Sequence, residues 1–297
     1  MHDQAKDLRQ LARQETQLAT GNRSARPKVV MLAAGKGGVG TTTLAVNLSV
    51  ALAKSKRRTM LIDTDPNGGD VAVLCQLEER YTLADVLLTR KSLPEVLQPG
   101  PGGIDVLPGN RASASLDDCL ASVGPRLIGP LEKLGTRFDL VIVDVGNRAN
   151  RIAKHFRQAA DLILLVTDTE LPSVMGAYGA IKVLAAGDHA PRVQSLVNRS
   201  PNPGAGIDVH ARLARACRRL IGINLTSAGQ VASEPQMPAS VRTGQPLVLA
   251  APECRAARQI RRVARSVAAF AGISRRPASV RGGRHLSSTE TTPSLTA

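Results

Sequence analysis

Residues 35–43 read Gly-Lys-Gly-Gly-Val-Gly-Thr-Thr-Thr, between an apolar segment at 29–34 and a helix-like segment at 44–54. Glycines in such a loop let backbone N–H groups turn toward phosphate oxygens, and the N-terminus of the following helix adds partial positive charge. Strand, glycine loop and helix in this order predict a phosphate-binding loop. The candidate phosphate ligands are Gly35, Lys36, Gly37, Gly38, Val39, Gly40, Thr41, Thr42 and Thr43.

The loop departs from its usual form at two positions. Such loops ordinarily end in Gly-Lys-Ser or Gly-Lys-Thr, with the lysine on the β- and γ-phosphates and the hydroxyl on Mg²⁺. Here Thr41 stands at the lysine position, Thr42 stands at the hydroxyl position, and Lys36 lies near the start of the loop. Since threonine carries no charge, a charge-assisted hydrogen bond of about 1.5–3 kcal/mol is lost. We therefore expect nucleotide binding to be roughly tenfold to a hundredfold weaker than with lysine.

A lysine this early in the loop resembles the deviant P-loop ATPases of the MinD/ParA type, which bind ATP with Mg²⁺. In that family the early lysine reaches across an ATP-dependent sandwich dimer to the partner's phosphates. The resemblance therefore implies a homodimer in which Lys36 has this catalytic role. The family's second loop lysine maps to Thr41. Two interpretations stay open: a weak ATPase that converts ATP to ADP and phosphate, and a nucleotide-binding scaffold without turnover.

The composition and the hydrophobic pattern favour a parallel sheet. There are no Trp, two Tyr and three Phe among 297 residues, so the core must be built from Val, Leu, Ile and Ala. Continuous apolar runs of these residues are typical of strands buried on both faces. The runs alternate with helix-length segments, which predicts an α/β fold with a doubly wound, mostly parallel sheet and helices on both faces. They lie at 59–63, 104–107, 139–145, 162–167, 193–198 and 223–231.

Carboxylates follow two of these runs. One run ends at Asp63 and leads to Asp65, and another ends in Asp144. Ligands of doubly wound sheets bind at the carboxyl ends of the strands. Because Mg²⁺ prefers oxygen ligands, Asp144 and Thr42 are candidate metal ligands. The family resemblance implies that Asp65 binds Mg²⁺ or orients the attacking water. It also implies that Asn198 contacts the adenine base, and a simple turn at the strand end is the alternative for Asn198.

The N-terminal region contains Asp3-Gln-Ala-Lys-Asp-Leu-Arg9, within a segment of helical pattern. This motif resembles the Asp-Gln-Ala-x-x-Leu-Arg activator helix of the FlhG (YlxH) branch of the family, which controls flagellar number and placement. In that branch the helix docks on the signal-recognition-type GTPase FlhF and stimulates GTP hydrolysis. An ordinary solvated helix is the alternative. The resemblance implies an FlhF-like partner bound by Asp3, Gln4, Ala5, Leu8 and Arg9.

The formal net charge is +15, and the excess of positive charge lies at the two ends of the chain. Residues 1–28 hold six basic and three acidic residues, and residues 251–297 hold nine basic and two acidic residues. A solvated domain with basic flanks is one interpretation. Contact with DNA, as in a ParA-like positioning protein, or weak contact with an anionic membrane is the other. We expect the amphipathic segment 253–271 to pack against the domain.

The composition also suggests boundaries and a compartment. We expect an activator-like helix and linker at 1–27, a nucleotide-binding domain at 28–273, and a basic, disordered tail at 274–297. No apolar run approaches the roughly 20 residues of a membrane span, and no apolar signal segment is present at the start. The cysteines form no metal-type pair, which favours free thiols in a reducing compartment. The sequence therefore predicts a cytoplasmic protein whose contact with the membrane or cell pole is transient.

Overall fold

A sheet of eight strands forms the centre of the computed structural model, which describes residues 26–65, 70–78, 80–109, 137–146, 156–184 and 192–272. The strands are β1 (Lys28–Ala34), β2 (Thr59–Asp63), β3 (Gln98–Pro99), β4 (Asp105–Leu107), β5 (Leu140–Asp144), β6 (Leu162–Thr167), β7 (Arg192–Ser200) and β8 (Thr226–Ala232). Their order is β3-β4-β2-β5-β1-β6-β7-β8, and only the pairing of β3 with β4 is antiparallel. The predicted α/β class and mostly parallel sheet are confirmed.

The central strands form because their side chains are buried on both faces of the sheet. In β1, Val29 and Met31 belong to one hydrophobic core, whereas Val30 and Leu32 belong to the other. All four residues are at most 3 % exposed. A strand with two apolar faces is stable only when helices cover both sides of its sheet.

Helices cover both of these faces, as the doubly wound prediction requires. The helices α5 and α6 contribute to the core that contains Val29, and α1 and α9 contribute to the core that contains Val30. The bounds of the helices are α1 (Thr41–Lys54), α2 (Asp70–Leu74), α3 (Leu83–Leu87), α4 (Leu93–Val96), α5 (Leu171–Leu184), α6 (Pro203–Ile221), α7 (Met237–Arg242), α8 (Leu247–Ala250) and α9 (Arg255–Phe270).

Helix α9 is the amphipathic segment predicted at 253–271. Its apolar residues Ile260, Val263 and Val267 are each at most 3 % exposed and lie in the core shared with α1. The expectation that this segment packs against the domain is confirmed, and its apolar face is not available to a bilayer. Within the described ranges, we find no helix that combines the length and the apolar character of a membrane span.

Strand β7 differs from its prediction at its carboxyl end. The sequence predicts that the strand ends at Asn198, but β7 continues to Ser200. Its register with β8 shifts between Val197 and Ser200, and Arg199 has a φ angle of 50°. Such a shift bends a strand and redirects a side chain. Asn198 therefore lies at an irregularity within the strand, and the alternative of a simple strand-end turn is wrong.

Some predictions fall on other parts of the chain. The motif from Asp3 to Arg9, the tail at 274–297 and Cys119 lie outside the described residues. The boundaries at 27 and 273 stay predictions. The described cysteines, Cys75, Cys217 and Cys254, are free thiols.

Candidate nucleotide-binding site

The glycine loop connects β1 to α1 at the carboxyl edge of the sheet. Gly38 and Gly40 have φ angles of 79° and 88°, a conformation that residues with a side chain rarely adopt. Gly40 is the cap residue of α1, and no side chain makes a capping hydrogen bond there. The first N–H groups of α1 therefore remain available to an anion, and the helix N-terminus adds partial positive charge.

The two unusual positions of the loop have opposite exposure. Lys36 is exposed and makes no ion pair or side-chain hydrogen bond with another described residue. Thr41 is only 7 % exposed, in the first turn of α1. The hydroxyl of Thr41 can donate one hydrogen bond to a phosphate oxygen but provides no positive charge. The charge that a loop lysine supplies is therefore missing on the buried side of the loop.

The loop begins with a direct backbone contact to α5. A Cβ atom added at Gly35 would overlap the carbonyl group of Gly176, and one added at Gly176 would lie 2.6 Å from the carbonyl oxygen of Gly35. Space therefore requires glycine at both positions. Sequence reasoning missed Gly176, because a glycine within a helical pattern indicates only a weaker helix unless its contact is known.

Asn198 holds the other side of the loop. Its side-chain nitrogen donates a hydrogen bond to the carbonyl oxygen of Val39 at 2.8 Å, and the residue is 6 % exposed. A Cβ atom added at Gly40 would lie 2.6 Å from the same nitrogen. The structure thus places Asn198 against the phosphate loop. Its contact with the adenine base stays a prediction.

Asp144 is the last residue of β5 and is completely buried. Burial raises the pKa of its carboxyl group to about 6, and the charges of Asp65 and Asp70 add to this rise. The Thr42 hydroxyl and the Gly146 N–H act in the opposite direction. Gly146 donates to Oδ1 at 3.1 Å, whereas Oδ2 has no hydrogen bond of ordinary geometry even though the Thr42 hydroxyl is nearby.

This arrangement fits a bound Mg²⁺ ion. A buried carboxylate oxygen without a hydrogen-bond partner is costly unless a cation or a donor reaches it. Mg²⁺ takes oxygen ligands and is commonly held by one or two carboxylates together with substrate phosphates. The hydroxyl of Thr42 and the carboxylate of Asp144 therefore form a suitable set of protein ligands.

The segment after β2 is tied to the end of β5. Both the N–H and the hydroxyl of Thr64 donate to the carbonyl oxygen of Asp144 at 2.8 Å. The N–H of Asp65 then donates to the carboxylate of Asp63 at 3.0 Å. A Cβ atom added at Gly146 would overlap the carboxylate of Asp65, so this carboxylate packs directly over the glycine. These contacts bring Asp65 beside Asp144.

Three elements thus converge on one edge of a parallel sheet: a glycine loop on a helix N-terminus, a hydroxyl in the first helical turn, and a buried carboxylate at the end of a strand. Together they define a P-loop nucleotide-binding protein. Thr42, Asp65 and Asp144 lie together, whereas Lys36 lies on the exposed side of the loop.

Comparisons with known proteins agree with this class. A family model described as an AAA domain matches residues 27–188. The antiactivator FleN of Pseudomonas aeruginosa is 31 % identical over 240 residues, which cover 81 % of this chain and 86 % of FleN. The septum site-determining protein MinD of Bacillus subtilis is 28 % identical over 247 residues, which cover 81 % of this chain and 88 % of that MinD.

A solved structure shows the same fold. MinD of Pyrococcus horikoshii, determined in complex with Mg-ADP, superposes with a TM-score of 0.68 at 21 % sequence identity. The superposition covers 83 % of this chain and 98 % of that chain. The chain belongs to the MinD/ParA-type P-loop ATPases and, among them, is close to FlhG.

Proposed function

We propose that this chain is an ATP-binding switch protein that regulates the number and placement of flagella. The observation that carries the proposal is the phosphate loop facing a buried, incompletely bonded Asp144 carboxylate. The flagellar role is supported by the similarity to the antiactivator FleN over most of both chains and by the FlhG-like motif at Asp3–Arg9.

The expected ligands are ATP and Mg²⁺. The loop at 35–43 would hold the phosphates, and Thr42, Asp65 and Asp144 would hold the metal. Mg²⁺, when bound, neutralises charge that develops on the transferred phosphoryl group. The Asp65 carboxylate, which is packed over Gly146, would help to hold Mg²⁺ or orient the attacking water. Asn198 keeps the loop in shape and is the candidate contact for the adenine base.

The active form would be an ATP-dependent homodimer. Lys36 is exposed and makes no ion pair or side-chain hydrogen bond within the described part of its own chain. Its ammonium group is therefore free to contact the phosphates bound to a second copy. That role matches the one implied by the family resemblance.

Thr41 sets the rate at which the switch resets. Phosphoryl transfer depends mainly on positioning and on neutralising charge, so the missing lysine slows hydrolysis more than it weakens binding. A second candidate function, a nucleotide-binding scaffold without turnover, is favoured by the same observation: a neutral, buried side chain stands where the charge would be.

Measurement of Mg-ATP binding and turnover on Thr41→Lys separates these functions. For a damped switch, we expect slow turnover in the unmodified chain, and a variant that binds about tenfold or more tightly and turns over faster. Ser55→Lys, which adds the same charge at the exposed far end of α1, serves as the control and should change neither quantity. Binding without turnover in the unmodified chain identifies a scaffold. The absence of ATP binding would overturn the proposal.

An FlhF-like GTPase is the proposed partner of the N-terminal motif. An inserted polar side chain can position the attacking water or stabilise transferred charge, and Gln4 is the candidate for that role. Addition of the full chain should accelerate GTP hydrolysis by such a GTPase about tenfold or more. Gln4→Ala should abolish this stimulation, and Gln10→Ala, outside the motif, should retain it. Equal stimulation by the two variants would refute the assignment.

A further inference from the structure

Helix α5 contains a buried hydroxyl group that the site described above does not use. Ser173 is 2 % exposed, and its Oγ atom has no hydrogen-bond partner among the described residues. A local acceptor is already occupied, because the carbonyl oxygen of Glu170 accepts from the N–H groups of both Ser173 and Val174. A buried hydroxyl without a partner costs free energy. The hydroxyl of Ser173 is therefore a donor that lacks an acceptor.

The carbonyl group of Gly35, at the start of the phosphate loop, lies against the same part of α5. A Cβ atom added at Gly176 would lie 2.6 Å from the carbonyl oxygen of Gly35. In a helix the Cα–Cβ bond is tilted toward the N-terminus, and residues three apart share one face. This oxygen therefore lies on the side of Gly176 that faces Ser173, one turn closer to the start of α5. A small adjustment of the loop brings it within reach of the hydroxyl.

The peptide unit between Gly35 and Lys36 faces the phosphates with its other side. A trans peptide is planar, so the C=O of Gly35 and the N–H of Lys36 point in opposite directions. Helix α5 packs on one face of the sheet and α1 on the other. Since the carbonyl points toward α5, the N–H of Lys36 points to the side of the loop on which α1 begins. The N-terminus of a helix is the place that attracts phosphates.

We infer that Ser173 is a positioning residue for the phosphate loop: its hydroxyl donates to the carbonyl oxygen of Gly35 when the N–H of Lys36 donates to a bound phosphate. This inference rests on the proposed function as an ATP-binding switch. Hydrogen bonds in a chain polarise and strengthen one another, so a phosphate on this N–H makes the carbonyl a better acceptor. The hydroxyl is unpaired without nucleotide and paired with it, which favours the bound state of the loop.

The test combines thermal unfolding of the full chain without nucleotide and titration calorimetry with Mg-ATP, on Ser173→Ala. Removal of the unpaired hydroxyl should raise the melting temperature of the nucleotide-free chain by about 2 °C or more. The same change removes the hydrogen bond of the bound state, so the affinity for ATP should fall about tenfold or more. Inorganic tripolyphosphate should lose affinity by a similar factor, because Ser173 acts on the loop and not on the base.

Ser173→Thr and Ser173→Val separate the hydroxyl from the size of the side chain. Both residues are branched at Cβ and share any steric cost at this buried position, but only threonine carries a hydroxyl. The threonine variant should bind Mg-ATP about tenfold or more tightly than the valine variant. Ser49→Ala is the control, because Ser49 is 0 % exposed but already donates to the carbonyl oxygen of Ala45 at 2.7 Å. This change should leave the ATP affinity unaltered and should not raise the melting temperature.

The outcomes separate this inference from the proposed function. Equal ATP affinities of Ser173→Ala and the unmodified chain, or of the threonine and valine variants, would overturn the inference while ATP binding itself stands. A lower melting temperature of Ser173→Ala would also overturn it, because the hydroxyl would then be paired without nucleotide. A loss of affinity confined to ATP, with normal binding of tripolyphosphate, contradicts an action on the loop. Absence of ATP binding by the unmodified chain would overturn the proposed function and this inference together.

Discussion

Asn198 connects strand β7 to the shape of the phosphate loop. Asn198→Asp preserves the volume of the side chain but replaces the donor to Val39 with a carboxylate oxygen. Loss of this buried hydrogen bond, with repulsion between the two oxygens, should weaken ATP binding about tenfold. Because the contact shapes the loop, inorganic tripolyphosphate should lose affinity by a similar factor. Titration calorimetry with the two ligands measures both effects.

The same titration tests the adenine contact. Asn224→Asp, an equivalent change at an exposed position, is the control and should leave both affinities unchanged. A loss confined to ATP, with normal binding of tripolyphosphate, would instead assign Asn198 to the base and contradict its role in shaping the loop.

The ionised carboxylate of Asp144 should destabilise the metal-free fold, although it provides a ligand for Mg²⁺. A carboxyl group whose pKa is higher in the folded chain holds its proton more tightly there, so its ionisation opposes folding. This cost is absent below about pH 4, grows as the pH rises from 3.8 to about 6, and is complete above about pH 6, where it is about 3 kcal/mol. In metal-free protein at pH 7.5, Asp144→Asn should therefore raise the melting temperature by about 3–6 °C. Calorimetry at this pH measures the change.

Acid pH and metal provide the controls for Asp144. The stabilisation should fall to about a third at about pH 4.5, where the carboxyl group is protonated in the folded chain but still mostly ionised in the unfolded chain. Mg²⁺-dependent stabilisation by ATP should be lost in the variant. Asp208→Asn, which neutralises an exposed carboxylate on α6, should change little. An unchanged or lowered melting temperature for Asp144→Asn at pH 7.5 would contradict the expected cost of burial.

Helix α5 contains two glycines that differ in the space available for a side chain. A methyl group at Gly176 meets the backbone of Gly35, whereas a methyl group at Gly179 meets nothing within 4 Å. Gly176→Ala should therefore lower the free energy of unfolding by about 1–3 kcal/mol. Gly179→Ala should raise it by about 0.5–1 kcal/mol, because alanine loses less backbone entropy in a helix. Urea denaturation of the two variants measures both changes. Equal changes in the free energy of unfolding would show that a methyl group at Gly176 does not clash with the backbone of Gly35.

Strands were easier to predict than the contacts between them. The runs at 59–63 and 162–167 match β2 and β6 residue for residue, because a strand buried on both faces is a nearly continuous apolar run. Strand β3 was missed, since two residues carry no periodicity. The bulge near Asn198 was missed for a different reason: it depends on pairing with β8, which is distant in sequence.

At the scale of the whole molecule, the family, the fold and the position of the candidate site followed from the sequence. Glycine spacing and strand-end carboxylates are local patterns, and parallel topology brings them to one edge of the sheet. Contacts through space leave no such pattern. Two contacts required the structure: the N–H of Val248 in α8 donates to the side-chain oxygen of Asn47 at 3.0 Å, and the N–H of Val29 donates to the carboxylate of Asp161 at 2.9 Å.

Assembly is the property that links the site to the whole molecule. With a non-hydrolysable ATP analogue and Mg²⁺, the apparent mass of the full chain should double, because in the proposed dimer Lys36 of each copy reaches the phosphates of the other. Lys36→Ala should stay monomeric, and Lys54→Ala, which removes an exposed lysine at the far end of α1, should still dimerise. Light scattering after size exclusion measures the mass. A dimer of Lys36→Ala as stable as that of the unmodified chain would contradict this role.

The contact between Gly35 and Gly176 also has a mechanical consequence. Most packed elements meet through side chains that can change rotamer, but here the two backbones touch with no side chain between them. The junction is therefore stiff, and a shift of a few tenths of an ångström at the start of the loop has to move α5 as well. The same helix exposes Leu171 and Met175, which are 59 % and 67 % exposed. The helix that bears directly on the start of the phosphate loop thus also carries an apolar surface that another molecule can touch.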